Sequence, residues 1–220
     1  MRILSLNATI NSPGHGNDAG GAFIPQSIRF SRARKAAGDV VESAGFDNSL
    51  VDQSKRRAAF LGLVDAAQPF QALAYFGHGL RTGLPSAGVS MAHVDAMASA
   101  LARKASGSLA VVLYACSTAG APGADRDRLD GDGGFADALR DRLGSLGLTG
   151  HVDAHTIAGH TTVNRYTRRF VMGETTGGKF IVEPNSPLWA KWGERLKEDE
   201  AFRFGFPFMD VAEIRTALAG

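Results

Sequence analysis

The chain has a single cysteine, Cys116, so it forms no disulfide within itself and offers no cysteine cluster for zinc or an iron–sulfur centre. Charge of one sign is equally scarce. Lys plus Arg number 24 against 22 Asp plus Glu, a formal +2 over 220 residues, which fits neither a general polyanion binder nor a charged disordered segment. Long apolar runs are absent too. The uncharged window 105–124 approaches the length of a membrane span, but it is densely apolar only over 109–116 and turn-forming elsewhere, so it predicts a buried strand. The N-terminal apolar stretch 3–6 is too short for a secretory signal. With the lone cysteine, this predicts a cytoplasmic protein with no membrane partner. At 44% hydrophobic residues, the chain has enough apolar material for a full core.

What is present is an alternation of strand-like and helix-like segments. Residues 3–6 read as a strand, followed by a long loop, 7–21, with Pro13, His15 and Asp18; loops of that length in compact domains tend to carry function. From 25 to 44, Ile28, Ala33, Ala36 and Val40 keep helical spacing, with Pro25 at the start and Gly45 at the end. A strand over 46–51 and a helix over 53–67 follow. Two continuous apolar runs, 72–76 and 109–114, suit strands of a parallel sheet covered on both faces. A helix is predicted between them over 89–104, another carrying Phe135, Leu139 and Leu143, and then a strand over 151–157. A hairpin over 170–172 and 179–182 and short helices over 188–198 and 211–218 close the chain. The order predicts an α/β fold with a mostly parallel sheet, a core over 1–160 and an extension over 161–220 packed on it as one domain.

The two apolar runs end in Gly77-His78-Gly79 and Ala115-Cys116-Ser117. Ligands of open parallel sheets bind beyond the carboxyl ends of strands, where loops converge on a rigid support. A thiol near its ordinary pKa is mostly protonated at neutral pH and needs an imidazole to activate it, and His78 supplies one. Neighbouring strands lie roughly 4.8 Å apart, so a histidine and a cysteine on adjacent strand ends can flank one carbonyl group. The flanking glycines allow close backbone approach, and the Gly79 and Cys116 amides together form a candidate oxyanion hole.

A strand ending in His-Gly, then a helix, then a strand ending in Ala-Cys resembles the clan CD cysteine peptidases, the superfamily of caspases, metacaspases, gingipains and clostripain, in its bacterial form. Here the motifs stand as Tyr75-Phe-Gly-His78-Gly79 and Leu113-Tyr-Ala115-Cys116-Ser117. The resemblance implies a three-layer caspase-like fold with a mostly parallel sheet flanked by helices. It implies an endopeptidase of protein or peptide substrates, acting through a thioacyl intermediate without a cofactor. In it Cys116 is the nucleophile, His78 the general acid and base, and Gly79 with Cys116 the oxyanion hole. The Ala-Cys-Ser context lacks the Gln-Ala-Cys-Arg-Gly surroundings of true caspases, so selectivity for aspartate is not implied.

Beyond Cys116 the chain is locally acidic, with Asp125, Asp127, Asp130 and Asp132. The expectation is a pocket for a basic residue before the scissile bond, with self-cleavage after Arg126 or Arg128 in the same loop. A calcium ion ordering this loop, as in some metacaspases, is a second expectation. The spacing is not that of an EF-hand, since Leu129 falls at the third ligand position. His155 and Thr156 are expected in the substrate cleft, because similar proteins build part of it after the corresponding strand. His151, Asp153 and His155 alternate as metal ligands do, but one polar strand face gives the same pattern and no metal is predicted. Gly14-His15-Gly16 lacks the spacing of a phosphate loop, and Arg165, Arg168 and Arg169 are too local to predict nucleic-acid binding. The rival to a peptidase is a non-catalytic caspase-like interaction module.

Overall fold

The computed structural model describes every residue except 13, 15, 122–130 and 160–161. Strand β1 (Arg2–Ala8) buries Ile3, Leu4 and Leu6. A single π-helical turn over Ala19–Phe23 then leads into α1 (Ile24–Ala36), with Pro25 in its first turn, where the missing N–H costs nothing. Gly38, at φ 89°, turns the chain back into β2 (Val40–Phe46). This corrects the sequence expectation of a helix to 44 and a strand over 46–51. Val40 and Val41 match helical spacing, but they are β-branched, and Val41 pairs with Ile3 in a parallel ladder.

Helix α2 (Gln53–Ala66) buries Phe60 and Val64 and precedes β3 (Phe70–Phe76). A small antiparallel hairpin, β4 (Gly83–Leu84) and β5 (Val89–Ser90), takes the start of the helix expected over 89–104. Helix α3 (Val94–Lys104) begins only after a 3-10 turn over Met91–His93, whose start Ser90 and His93 cap through their side chains. Strand β6 (Ala105–Tyr114), α4 (Phe135–Ser145), β7 (Gly150–His155), β8 (Thr167–Val171) and β9 (Lys179–Phe180) complete the sheet.

Among the described residues this sheet has seven strands in the order β2-β1-β3-β6-β7-β8-β9, parallel from β2 to β7 and antiparallel beyond. Helices α2, α3 and α4 touch in series, while α1 packs against β1, β2 and β3 and against α6 (Glu200–Gly205), giving the three layers of an α/β fold. Residues 72–76 of β3 and 111–114 of β6 are almost wholly buried, which is why those runs are unbroken. Each large side chain so buried contributes about 1.5–3 kcal/mol of transfer free energy.

Strands β8 and β9 belong to the main sheet, so 167–180 are part of the core rather than of an extension that begins at 161. A separate apolar cluster starts at Ile181. It gathers Trp189, Trp192 and Leu196 of α5 (Trp189–Glu198), Phe202 and Phe206, and Ile214 and Leu218 of α7 (Val211–Ala219). A buried ion pair fixes this cluster to the sheet: Arg169 on β8 grips Asp153 on β7 at 2.8 Å through two nitrogens and donates to the carbonyls of Met209 and Pro207. Among the described residues no helix is long and apolar enough to cross a membrane.

Candidate active site

The parallel register of β3 and β6 runs from Ala72 opposite Ala110 to Phe76 opposite Tyr114. His78 lies two residues past Phe76 and Cys116 two past Tyr114, so equal steps beyond neighbouring strands bring them to the same end of the sheet. The Gly77 N–H still reaches the Tyr114 carbonyl at 3.5 Å, carrying the ladder one residue past the strands.

His78 is held at four points. Its N–H donates to Ser86 Oγ at 3.1 Å, and its carbonyl accepts from the buried Tyr75 hydroxyl at 3.2 Å. Phe23 meets its ring edge-on with centroids 5.0 Å apart, and its Nε2 bonds the Asp18 carboxylate. Gly77 is required above Tyr75, since a β-carbon there would stand 2.5 Å from the phenol oxygen. Burial alone would push the Asp18 carboxyl up, but hydrogen bonds from His78 and from the N–H groups of Ser12 and Ala19 outweigh it and hold its pKa below the usual carboxylate value. An ionised Asp18 accepts a hydrogen bond from Nε2–H and so selects the ring tautomer that carries its proton there. Asp18 is the residue whose role the sequence did not disclose; the signal was a carboxylate in a long glycine-rich loop after the first strand.

Cys116 is half-buried, and its thiol donates to the Gly159 carbonyl at 3.7 Å. Ser117 follows in the left-handed region at φ 57°, a conformation that costs a non-glycine residue about 1–2 kcal/mol. The turn is secured by Ser117 N–H to Ile157 at 3.4 Å, Ala119 N–H to His155 at 2.9 Å and Gly120 N–H to Ser117 at 3.0 Å. The first N–H groups of α4 close the frame from below, Phe135 donating to the Arg81 carbonyl and Ala136 to that of Thr118.

Gly79 binds the two strand ends together. A β-carbon at this position would lie 2.6 Å from the Cys116 carbonyl oxygen, 2.6 Å from Thr118 Cγ2 and 2.7 Å from Ala115 Cβ. The sequence pointed to approach of a substrate; the space is in fact taken by the loop that carries Cys116. Neither the Gly79 nor the Cys116 N–H has a hydrogen-bond acceptor among the described residues. Main-chain N–H groups without an acceptor, one from each of two adjoining strand ends, are suited to receive an anionic oxygen.

The remaining expected site residues are placed otherwise. His155 is 4% exposed, with Nδ1 on the Thr167 hydroxyl at 3.1 Å, and Thr156 is 3% exposed, its N–H on the Tyr166 carbonyl at 2.9 Å. Both are buried, His155 opposite Thr167 in the β7–β8 ladder and Thr156 bonded to the residue just before β8. Asp132 is exposed and packs against Gly177 in the connection between β8 and β9. Asp125, Asp127 and Asp130, and with them the basic-residue pocket, the calcium expectation and the self-cleavage points, lie outside the described residues. Asp153 is occupied by Arg169, and His151 Nε2 by the Pro207 carbonyl at 2.8 Å. Among the described residues no three His, Cys, Asp or Glu side chains are gathered to hold a metal ion.

No protein-family model matches the chain, and no curated protein matches it at a significant level.

Proposed function

We propose that the protein is a caspase-like cysteine endopeptidase of the clan CD type. The observation that carries this reading is the β3–β6 register, which brings His78 and Cys116 to adjacent strand ends with Gly79 packed between their loops. In this mechanism His78 takes the thiol proton and the Cys116 sulfur adds to the scissile carbonyl. The oxygen gathers negative charge against the Gly79 and Cys116 amides. His78 returns its proton to the departing amine as the carbon–nitrogen bond breaks and a thioester forms. Water, deprotonated by His78, then releases the acid and restores the thiol. Asp18 acts on the imidazole alone: it fixes the ring and its tautomer and stabilises the imidazolium, so it is a positioning residue.

A basic residue before the scissile bond remains the proposed preference, argued from Asp125, Asp127, Asp130 and Asp132 in the sequence. The bond from the Cys116 thiol to Gly159 favours one rival, a non-catalytic interaction module in which Cys116 is a packing residue. Labelling with peptidyl acyloxymethyl ketones bearing arginine, aspartate or alanine at the reactive end separates the two. The expected result is one adduct by intact mass, lost in Cys116→Ala and strongly slowed in His78→Ala. Equal labelling of wild type and His78→Ala would overturn the dyad.

A further inference from the structure

The sheet ends on one side at β2, which pairs with β1 and with no other strand among the described residues. The Val40 N–H donates to the Met1 carbonyl and the Phe46 carbonyl accepts from the Thr9 N–H, so the even-numbered residues of β2 face β1. By strand alternation, Val41, Ser43 and Gly45 turn their N–H and C=O groups away from the sheet. Natural edges are often blunted by proline or lysine, and Val40–Phe46 contains neither.

Above this edge lies a groove of about 440 Å³ between β2 and α1. Small side chains open it: Ser31 Oγ meets Ser43 Oγ at 2.9 Å, and Ser27 Oγ meets Ser5 Oγ at 3.0 Å, where larger apolar side chains usually separate a helix from a sheet. One wall is a single stripe of α1 with i, i+4, i+7 spacing, formed by Ile28, which is 54% exposed, Arg32 and Lys35. Helix α1 returns the chain from the end of β1 to the start of β2, so Ile28 lies toward Gly45 and Lys35 toward Val41. No carboxylate lines the groove, and neither Arg32 nor Lys35 forms a salt bridge with a described residue.

Charge decides what this edge accepts. A second copy paired antiparallel across β2 has its two-fold axis normal to the sheet, which lays the α1 stripe against itself and brings two Arg32 and two Lys35 side chains together. A strand with carboxylates at alternate positions meets those cations instead, because alternation places all of its carboxylates on the α1 side.

We propose that β2 and α1 form a docking groove for an extended acidic segment of a partner protein, which adds a strand to the sheet. An apolar side chain of the segment lies beside Ile28 over Gly45, and acidic side chains two and four residues away pair with Arg32 and Lys35. Main-chain bonds to Val41, Ser43 and Gly45 hold the segment, and its side chains select it. The groove lies three strand positions from β6, which leads to Cys116, and the proposal does not depend on the peptidase reading.

The test uses the full chain with Cys116→Ala, so that no probe is consumed. The probes are capped, fluorescein-labelled Ile-Thr-Glu-Thr-Glu and Glu-Thr-Glu-Thr-Ile, which cover both strand directions. One of them is expected to bind about fivefold tighter by anisotropy than its glutamine counterpart. The advantage disappears in the double variant Arg32→Glu with Lys35→Glu, whose unfolding midpoint is unchanged. N-methylation of the alternate peptide nitrogens that face β2 is expected to abolish binding, and N-methylation of the other set to leave it intact. In the free chain the Val41, Ser43 and Gly45 amides exchange quickly with solvent, and the peptide protects them. Binding that responds equally to the two N-methylated sets, or that ignores the charge reversal, would overturn the proposal. Protection of those three amides before any peptide is added would overturn it as well, since the edge would already be taken by a second copy or by another segment of the chain.

Discussion

His78 donates from Nε2 to the carboxylate of Asp18, a residue 60 positions earlier in the chain, and this bond fixes the orientation of the imidazole ring. Because the Asp18 pKa lies below the usual carboxylate value of 3.8, the group is ionised at any pH where a histidine acts as a base. Its contribution to stability is present above that value and is lost as pH falls through the lower native one.

Asp18→Asn is therefore expected to reduce kcat by about a hundredfold with little change in KM. Asp18→Glu, which keeps the carboxylate, is expected to recover much of that kcat. A merely structural Asp18 would lower stability and activity together, which thermal unfolding of both variants would show.

Gly79→Ala is expected to cost about 1–3 kcal/mol of stability as well as activity, since the added methyl group meets backbone and β-carbon atoms on three sides. Chemical denaturation and peptide turnover measured together check both. A Gly79→Ala protein as stable and active as wild type would show that the two strand ends are less closely joined.

Arg169→Met leaves Asp153 buried without its cation and removes the donors to Met209 and Pro207, with an expected cost of about 3–5 kcal/mol. Limited proteolysis should then cut within 181–219 before the rest of the chain. The double variant Asp153→Leu with Arg169→Met is expected to recover much of the loss, because no unpaired charge remains.

His151 gives the C-terminal cluster a pH dependence. Burial, with the Arg169 charge adding and the Asp153 charge opposing, lowers its pKa below 6.5. The unfolded chain thus binds the proton first, so stability is full above about 6.5 and falls as pH drops from there toward the native value. His151→Gln can keep the bond to the Pro207 carbonyl, and its melting temperature is expected to vary less between pH 7 and pH 5 than that of wild type.

The sequence by itself determined the local features. Two unbroken apolar runs, each with a turn and a chemically able side chain at its end, announced buried parallel strands and the two residues at their tips, because a strand covered on both faces has no polar positions to spare. The helical stripes of Phe60 and Val64, and of Phe135, Leu139 and Leu143, were legible for the same reason. Val40 and Val41 were not, since their spacing fits a helix and only pairing with β1 makes them strand. Tertiary structure alone decided everything that rests on contacts between distant segments. The register that levels His78 with Cys116, the reach of Asp18 across the first loop, and the burial of His155 against Thr167 each join residues whose proximity no local pattern encodes.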